Sequence, residues 1–308
     1  MRETEPWHEQ DAFWETVAPI LFSQRRRSNA PVGVDQVVSL LGLEPGMHVL
    51  DLCCGVGRHS LELVRRGFHV TGVDRTRAYL EQASKQAKTE GLSVEFVQDD
   101  MRNFCRLGAF EAVINLFTSF GYFEDSQDDR KVVTNVYQSL KAGGVFLIDM
   151  MGKEVLARVF RERDWHEENG SLILEERKLG KCWDWLETRW VLFRENERVE
   201  HRLSLHLYSA VELSSLLTGC GFAQVDIYGD FAGNPYDHTA KRLVAVARKR
   251  RMTLPNKRLV CPESHRLLAG ASPVGVTARR ASSGHPVHSD DWMGQLYHFP
   301  TWYPARWL

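Results

Sequence analysis

The sequence predicts an α/β protein with a doubly wound, mostly parallel sheet and a small antiparallel β insert. Three observations carry that expectation. Between Met47 and Met150, short apolar runs alternate with amphipathic helical patterns. Those runs are apolar throughout, as strands must be when helices cover both faces of a sheet. The first run, "VLDLCCGVGRHS" (49–60), ends in an acid and turns through two glycines one residue apart.

Taken in order, residues 1–46 read as an N-terminal helical cap. Phe13, Trp14, Val17 and Leu21 recur at three-to-four spacing, and Pro45-Gly46 stops the pattern. Residues 47–150 form the core. "MHVLDL", "HVTGVD", "SVEFVQ", "FEAVINLF" and "VFLIDM" are its strands. "RHSLELVRRG", "TRAYLEQASKQAKTEG" and "QDDRKVVTNVYQSLKAGG" are helices ended by glycine. Residues 151–208 change rhythm. "SLILEERKL", "CWDWLETRWVLF" and "VEHRLSLHLY" alternate at period two, which predicts an antiparallel three-stranded insert with one wet face. In 209–250 a helix, "SAVELSSLLTGCG", precedes two strands, "AQVDIYG" and "KRLVAVARK", that rejoin the main sheet. Residues 251–308 have no sustained period. They carry seven Lys/Arg against three Asp/Glu and read as an irregular, basic, poorly ordered tail, although Trp292, Trp302 and Trp307 are unusual in one.

Bulk properties narrow the function. With 308 residues and a net charge of −1, the chain has no global attraction to nucleic acid or anionic membrane. No stretch approaches the run of about 18 apolar residues that spans a bilayer. The acidic N-terminus lacks a secretory pattern, so a cytoplasmic protein is expected. The six cysteines include the pair Cys53-Cys54 but no Cys-x-x-Cys, so no metal site is expected.

Ligands of parallel α/β sheets bind at the carboxyl ends of the strands. Gly55 and Gly57 let backbone approach a ligand there, and the following helix offers unpaired N–H groups. A dinucleotide turn reads G-x-G-x-x-G, but Ser60 stands where the third glycine would be. Asp51 ahead of the turn would repel a pyrophosphate and suits an ammonium or sulfonium. Asp74 ends the second strand, where a carboxylate accepts ribose hydroxyls. Asp100 ends the third, where it accepts from an adenine amino group while Met101 packs on the ring; Asp99 is its neighbour and competitor. Together these describe S-adenosyl-L-methionine.

Residues 47–150 resemble the class I, Rossmann-like S-adenosylmethionine-dependent methyltransferases. "VLDLCCGVG" resembles their first motif, with Cys53 in place of the first glycine; "VTGVD", "FVQDDMRNF" and "LKAGGVFLID" resemble the next three. "NLFTSFGYF" and "YGDFAGNPYDHTAKRLVAVARK" resemble a bacterial small-molecule-type subgroup, over roughly residues 12–250. The resemblance implies seven strands with the last antiparallel. It implies cofactor contacts at Asp51, Cys53, Gly55, Gly57, Asp74, Arg75, Asp100 and Met101, and at Asn115 and Phe117 beside the transferable methyl. Ser119 would line the reaction cavity and Tyr122 grip the acceptor. His238, Asp237 and Tyr236 are the candidates for a base, needed only if the acceptor arrives protonated. Arg58 and His59 read equally as contacts of the methionine carboxylate or as a surface helix start. The insert, with Trp183, Trp185, Trp190 and Tyr208, reads as a lid, or else as a homodimer face or a small satellite core. The expected reaction is transfer of a methyl to N or O of a small-molecule acceptor. The rivals are a nucleic-acid or protein methyltransferase, an NAD(P)-dependent oxidoreductase and a non-catalytic cofactor binder.

Overall fold

A computed structural model describes residues 5–194 and 197–251. A seven-stranded sheet has the order β10-β11-β5-β4-β1-β2-β3. Its strands are β1 (His48–Leu52), β2 (His69–Asp74), β3 (Glu95–Gln98), β4 (Phe110–Asn115), β5 (Leu140–Met150), β10 (Gln224–Tyr228) and β11 (Leu243–Arg248). β1 pairs in parallel with both β2 and β4, so the chain winds outward in opposite directions from that pair. β11 is antiparallel to both β5 and β10, as the resemblance implied.

Alternation along the central strands sends side chains into two cores. Leu50, Leu52, Val113, Phe146 and Ile148 join one cluster with Val132, Val133 and Val136 of α6 (Ser126–Ser139) and Leu213 and Leu217 of α8 (Ala210–Gly219). Val49, Ala112, Ile114 and Leu147 point the other way. They meet Val34, Val37 and Leu41 of α3 (Ala30–Leu41) and Leu63 of α4 (Arg58–Arg65). Residue alternation with both faces apolar is why these strands read as continuous hydrophobic runs. α5 (Arg77–Glu90) links β2 to β3.

Three elements differ from expectation. The insert has four strands, β6 (Arg163–Glu168), β7 (Ser171–Leu179), β8 (Trp185–Arg194) and β9 (Glu197–His206), in antiparallel order β6-β7-β8-β9. β6, "RDWHEE", escapes an apolar pattern because its one buried side chain is His166. A short helix, α7 (Lys153–Val159), also precedes the insert. α6 ends at Ser139 and "LKAGG" already belongs to β5, rather than closing the helix. The expected tail, apart from Arg251, lies outside the described residues.

The N-terminal cap is divided in two. While α3 packs on the main sheet, α1 (Asp11–Leu21) lays Phe13, Val17, Ile20 and Leu21 on Ile173, Trp190, Leu192 and Leu203 of the insert. α2 (Gln24–Ser28) joins them. Among the described residues no helix is long and apolar enough to cross a membrane.

The insert is tied to the core at Gly121, whose carbonyl accepts from the His206 amide at 2.6 Å. Gly121 has φ +86°, and a Cβ there would stand 2.7 Å from the His206 carbonyl oxygen. Both strain and collision oppose any side chain. Gly121→Ala is therefore expected to cost about 1–3 kcal/mol, read as a drop in Tm of roughly 2–4 °C per kcal/mol. An unchanged melting curve would contradict this account of the junction.

Candidate active site

A cavity of about 1020 Å³, counting its open mouth, lies at the carboxyl ends of β1, β2, β3 and β4. It gathers Asp51, Cys53, Gly55, Asp74, Arg75, Asp100, Met101 and Phe117 of the expected cofactor set, together with Ser119 and Tyr122. This is where the strand order diverges, the usual crevice of such sheets.

The glycine turn is built under load. Cys53, Gly55 and Gly57 all have positive φ, of 63°, 56° and 73°. A Cβ at Gly55 would meet the Phe22 ring at 2.8 Å, and one at Gly57 would meet Ala83 and Phe96 at 3.0 Å. Both positions are thus closed to larger residues. Cys53 does adopt the left-handed conformation that a glycine takes more cheaply, and its Sγ lies 3.5 Å from Met101 Sδ. Burial pushes both adjacent thiols well above the ordinary cysteine range, so they pack and do not react.

The strand-end acids have different surroundings. Asp51 is 3% exposed, and its Oδ2 accepts from the Ser60 hydroxyl at 2.6 Å. Burial raises its pKa to about 6, against the opposing pull of Ser60 and Arg58. Asp74 accepts from the Gly55 and Thr76 amides, each at 2.8 Å. Burial raises its pKa too, although those two amides work against the rise. A carboxylate has about four lone-pair sites, so capacity for a diol remains. Asp100 pairs with Arg102 at 2.6 Å. Burial would raise its pKa, but the Arg102 hydrogen bonds and charge hold it low. Asp99, its rival, also lines the cavity.

The "NLFTSFGYF" segment after β4 carries two successive non-glycine residues with positive φ, Phe117 at 59° and Thr118 at 60°. Sequence reasoning missed what holds them. Asp149, fully buried at the end of β5, accepts from the Phe117 amide at 2.8 Å, and its backbone carbonyl accepts from the Thr118 amide at 2.9 Å. Arg242, just before β11, donates to Asp149 at 2.7 Å and to the Thr118 hydroxyl at 2.9 Å. An acid near the end of the otherwise apolar "VFLIDM" was the available signal. Asn115 is buried beneath this loop and donates to the Leu52 and Ser119 carbonyls, each at 3.2 Å. It braces the loop and is not among the cavity-lining residues, and neither is Gly57.

The roof comes from the N-terminal segment: His8, Trp14, Leu21 and Phe22 line the cavity, and no insert residue does. α1 occupies the insert face that was expected to act as a lid. The segment is strapped to the rim of the cavity. Arg75 pairs with Asp11 at 2.9 Å, Arg102 with Glu9 at 2.6 Å, and the Tyr79 hydroxyl donates to the Trp14 carbonyl. His238 and Asp237 do not reach this cavity. Both are exposed; Asp237 accepts from the Thr239 amide and hydroxyl at 2.7 Å, and the His238 carbonyl accepts from Arg158. Tyr236 donates to Glu154 at 2.8 Å.

Two outcomes follow for binding. Asp74→Asn should weaken S-adenosylmethionine at least about tenfold, since a hydrogen bond to a charged group contributes about 1.5–3 kcal/mol; calorimetry checks this, and an unchanged Kd would remove Asp74 from the site. Asp51, with a folded pKa of about 6 against an ordinary 3.8, holds its proton between those values. Ionising it therefore costs the ligand-free fold as pH rises through that window, whereas a cationic ligand favours the ionised form. Affinity should accordingly rise about tenfold from pH 5 to pH 7.5, and Asp51→Asn should flatten the profile.

The comparisons with known proteins agree with this geometry. Residues 49–144 match a family model described as a methyltransferase domain. A protein of Geobacillus sp. (strain WCH70), named only as a methyltransferase, is 23% identical over 226 residues, covering 70% of this chain and 90% of its own. A glycine/sarcosine N-methyltransferase of Aphanothece halophytica is 26% identical over 206 residues, 65% of this chain and 76% of its own. Among solved structures, an S-adenosylmethionine-dependent methyltransferase from Clostridium acetobutylicum matches with a TM-score of 0.64 at 17% identity, over 78% of this chain and 98% of its own. Residues 49–144 thus carry a methyltransferase domain, and the chain has the fold of the S-adenosylmethionine-dependent methyltransferases.

Proposed function

We propose that the chain methylates a nitrogen or oxygen of a small molecule. One observation carries this reading: the cavity that holds the strand-end acids is roofed by His8, Trp14, Leu21 and Phe22. A nucleic acid would need an open, basic approach, whereas aromatic and aliphatic side chains narrow this cavity. The named substrates of the Aphanothece relative, glycine and sarcosine, make small amines the first acceptors to try.

The bound cofactor supplies a methyl already activated by the sulfonium. What remains for the protein is alignment and exclusion of water. Asp51, Asp74 and Asp100 with Met101 hold the cofactor's charged and polar groups, and the turn at Gly55 lets it approach the backbone. Tyr122 is 9% exposed and lines the same cavity. Burial pushes its hydroxyl well above the usual phenol range, so it stays protonated and serves to hydrogen-bond an acceptor, not to take its proton. An amine would then enter in its neutral form. His238 and Asp237 have no part in this scheme.

The test is release of S-adenosylhomocysteine across pooled small amines, acids and phenols. At least one pool should turn over. With that acceptor, Tyr122→Phe should raise KM about three- to tenfold, the worth of one neutral hydrogen bond, with cofactor Kd unchanged. Turnover of RNA or protein alone, with every small-molecule pool silent, would overturn the reading.

A further inference from the structure

The insert leaves one edge of its sheet open at β6. In the order β6-β7-β8-β9, that strand has a neighbour on one side only among the described residues. The Arg177 amide donates to the Glu162 carbonyl at 2.7 Å, so Glu162, Asp164 and His166 turn their backbone groups toward β7. Those groups alternate in direction along an antiparallel strand, which leaves Arg163, Trp165 and Glu167 with theirs facing outward. The Trp165 amide accordingly donates to its neighbour's carboxylate, Asp164, at 3.0 Å. Natural edges are commonly blunted by lysine or proline. Here a tryptophan, 62% exposed, stands mid-strand, with Arg163 and Glu167 two residues to either side.

We propose that β6 pairs edge to edge with β6 of a second copy of the chain, antiparallel about a two-fold axis at Trp165, joining two inserts into one eight-stranded sheet. Charge selects the register. With the axis at Trp165, Arg163 of each copy stands opposite Glu167 of the other, and opposite charges across a strand pair are favourable. An axis at Asp164 would set that acid against itself, and one at His166 would set Asp164 against Glu168. The like-charged pair in the proposed register, Glu162 with Glu168, falls at the strand ends. Arg163 already lies 3.6 Å from Glu176, which pairs with Arg189 at 2.8 Å, and Arg189 reaches Glu200 at 2.7 Å. The second copy's acid continues this row of alternating charge past the edge. On the same face Leu174 and Val191 stand in line with Trp165, so the two indoles meet within an apolar strip. On the opposite face Asp164 comes across from His166, which is 4% exposed and whose Nε2 has no hydrogen-bond partner among the described residues. A carbonyl from the second copy would take the Trp165 amide and free Asp164 for that nitrogen. The contact is isologous and uses both edges at once, so it closes as a dimer.

Sedimentation equilibrium on the full chain tests this, and no readout depends on the methyl-transfer reading. The wild type should be dimeric at about 50 μM, well above a micromolar Kd. Arg163→Glu sets acid against acid across the axis and should raise the dimer Kd tenfold or more. Glu167→Arg sets cation against cation and should do the same, while the two changes combined should restore the dimer. The Arg163 side chain is 83% exposed, so the far-UV circular dichroism of the variants should match the wild type. Should Arg163→Glu lose its fold by parting from Glu176, Glu167→Arg reads the same contact. Hydrogen exchange at the Trp165 and Glu167 amides should be slow in the dimer and speed up on dilution. A monomeric wild type overturns the proposal, whether or not those amides are protected from within the chain. So does a dimer indifferent to both single changes, or a combined variant that stays monomeric.

Discussion

Much of the site hangs on one buried ion pair, Asp149 with Arg242, 2.7 Å apart. It joins the end of β5 to the start of β11 and pins the left-handed residues 117 and 118 between them. Burying such a pair brings little net stability, because desolvation offsets most of the attraction. What it gives is a fixed shape. Two consecutive non-glycine residues with positive φ relax unless something over-determines them. Here a carboxylate and a carbonyl of the same residue hold both amides. The antiparallel last strand thereby acts on the cavity from two strands away, since Arg242 precedes β11 and Phe117 follows β4.

Charge in the cavity is arranged by strand and helix ends. Carboxylates end β1, β2 and β3, and the cationic side chain of Arg58 opens α4. Burial drives the two kinds in opposite directions, raising Asp51 and Asp74 and lowering Arg58. Each group is therefore held in an environment that a ligand of complementary charge would relieve. Asp100 differs because Arg102 already neutralises it, leaving its free lone pairs for a neutral hydrogen-bond donor such as an exocyclic amine. The same arginine reaches Glu9, so Asp100 and the roof share one cation.

The sheet was legible because burial on both faces writes itself as apolar runs, and the glycine turn because backbone conformation restricts residue type. The strand-end acids were legible because an acid closing an apolar run has few structural explanations. Other features had no such signature. β6 carries charge on four of its six residues, and its one buried residue is His166. The roof residues His8, Trp14, Leu21 and Phe22 belong to an amphipathic helical pattern whose apolar face serves two purposes, and periodicity cannot separate them. Asp237 and His238 have side chains suited to proton transfer, but loop chemistry explains them: Asp237 caps its own turn through Thr239. Residue type without a strand or helix to place it was the weak part of the reading.

α1 packs against two neighbours at once. Phe13, Val17 and Ile20 belong to the insert's core, while Trp14, Leu21 and Phe22 both pack on that core and line the cavity. Phe22 rests on Gly55, the residue that leaves room for it. Any change in the insert that shifts Trp190 or Leu203 must move α1, because close-packed side chains transmit displacement. That movement arrives at the glycine turn and at the roof together. The insert thus supports a helix that lines the cavity without lining the cavity itself.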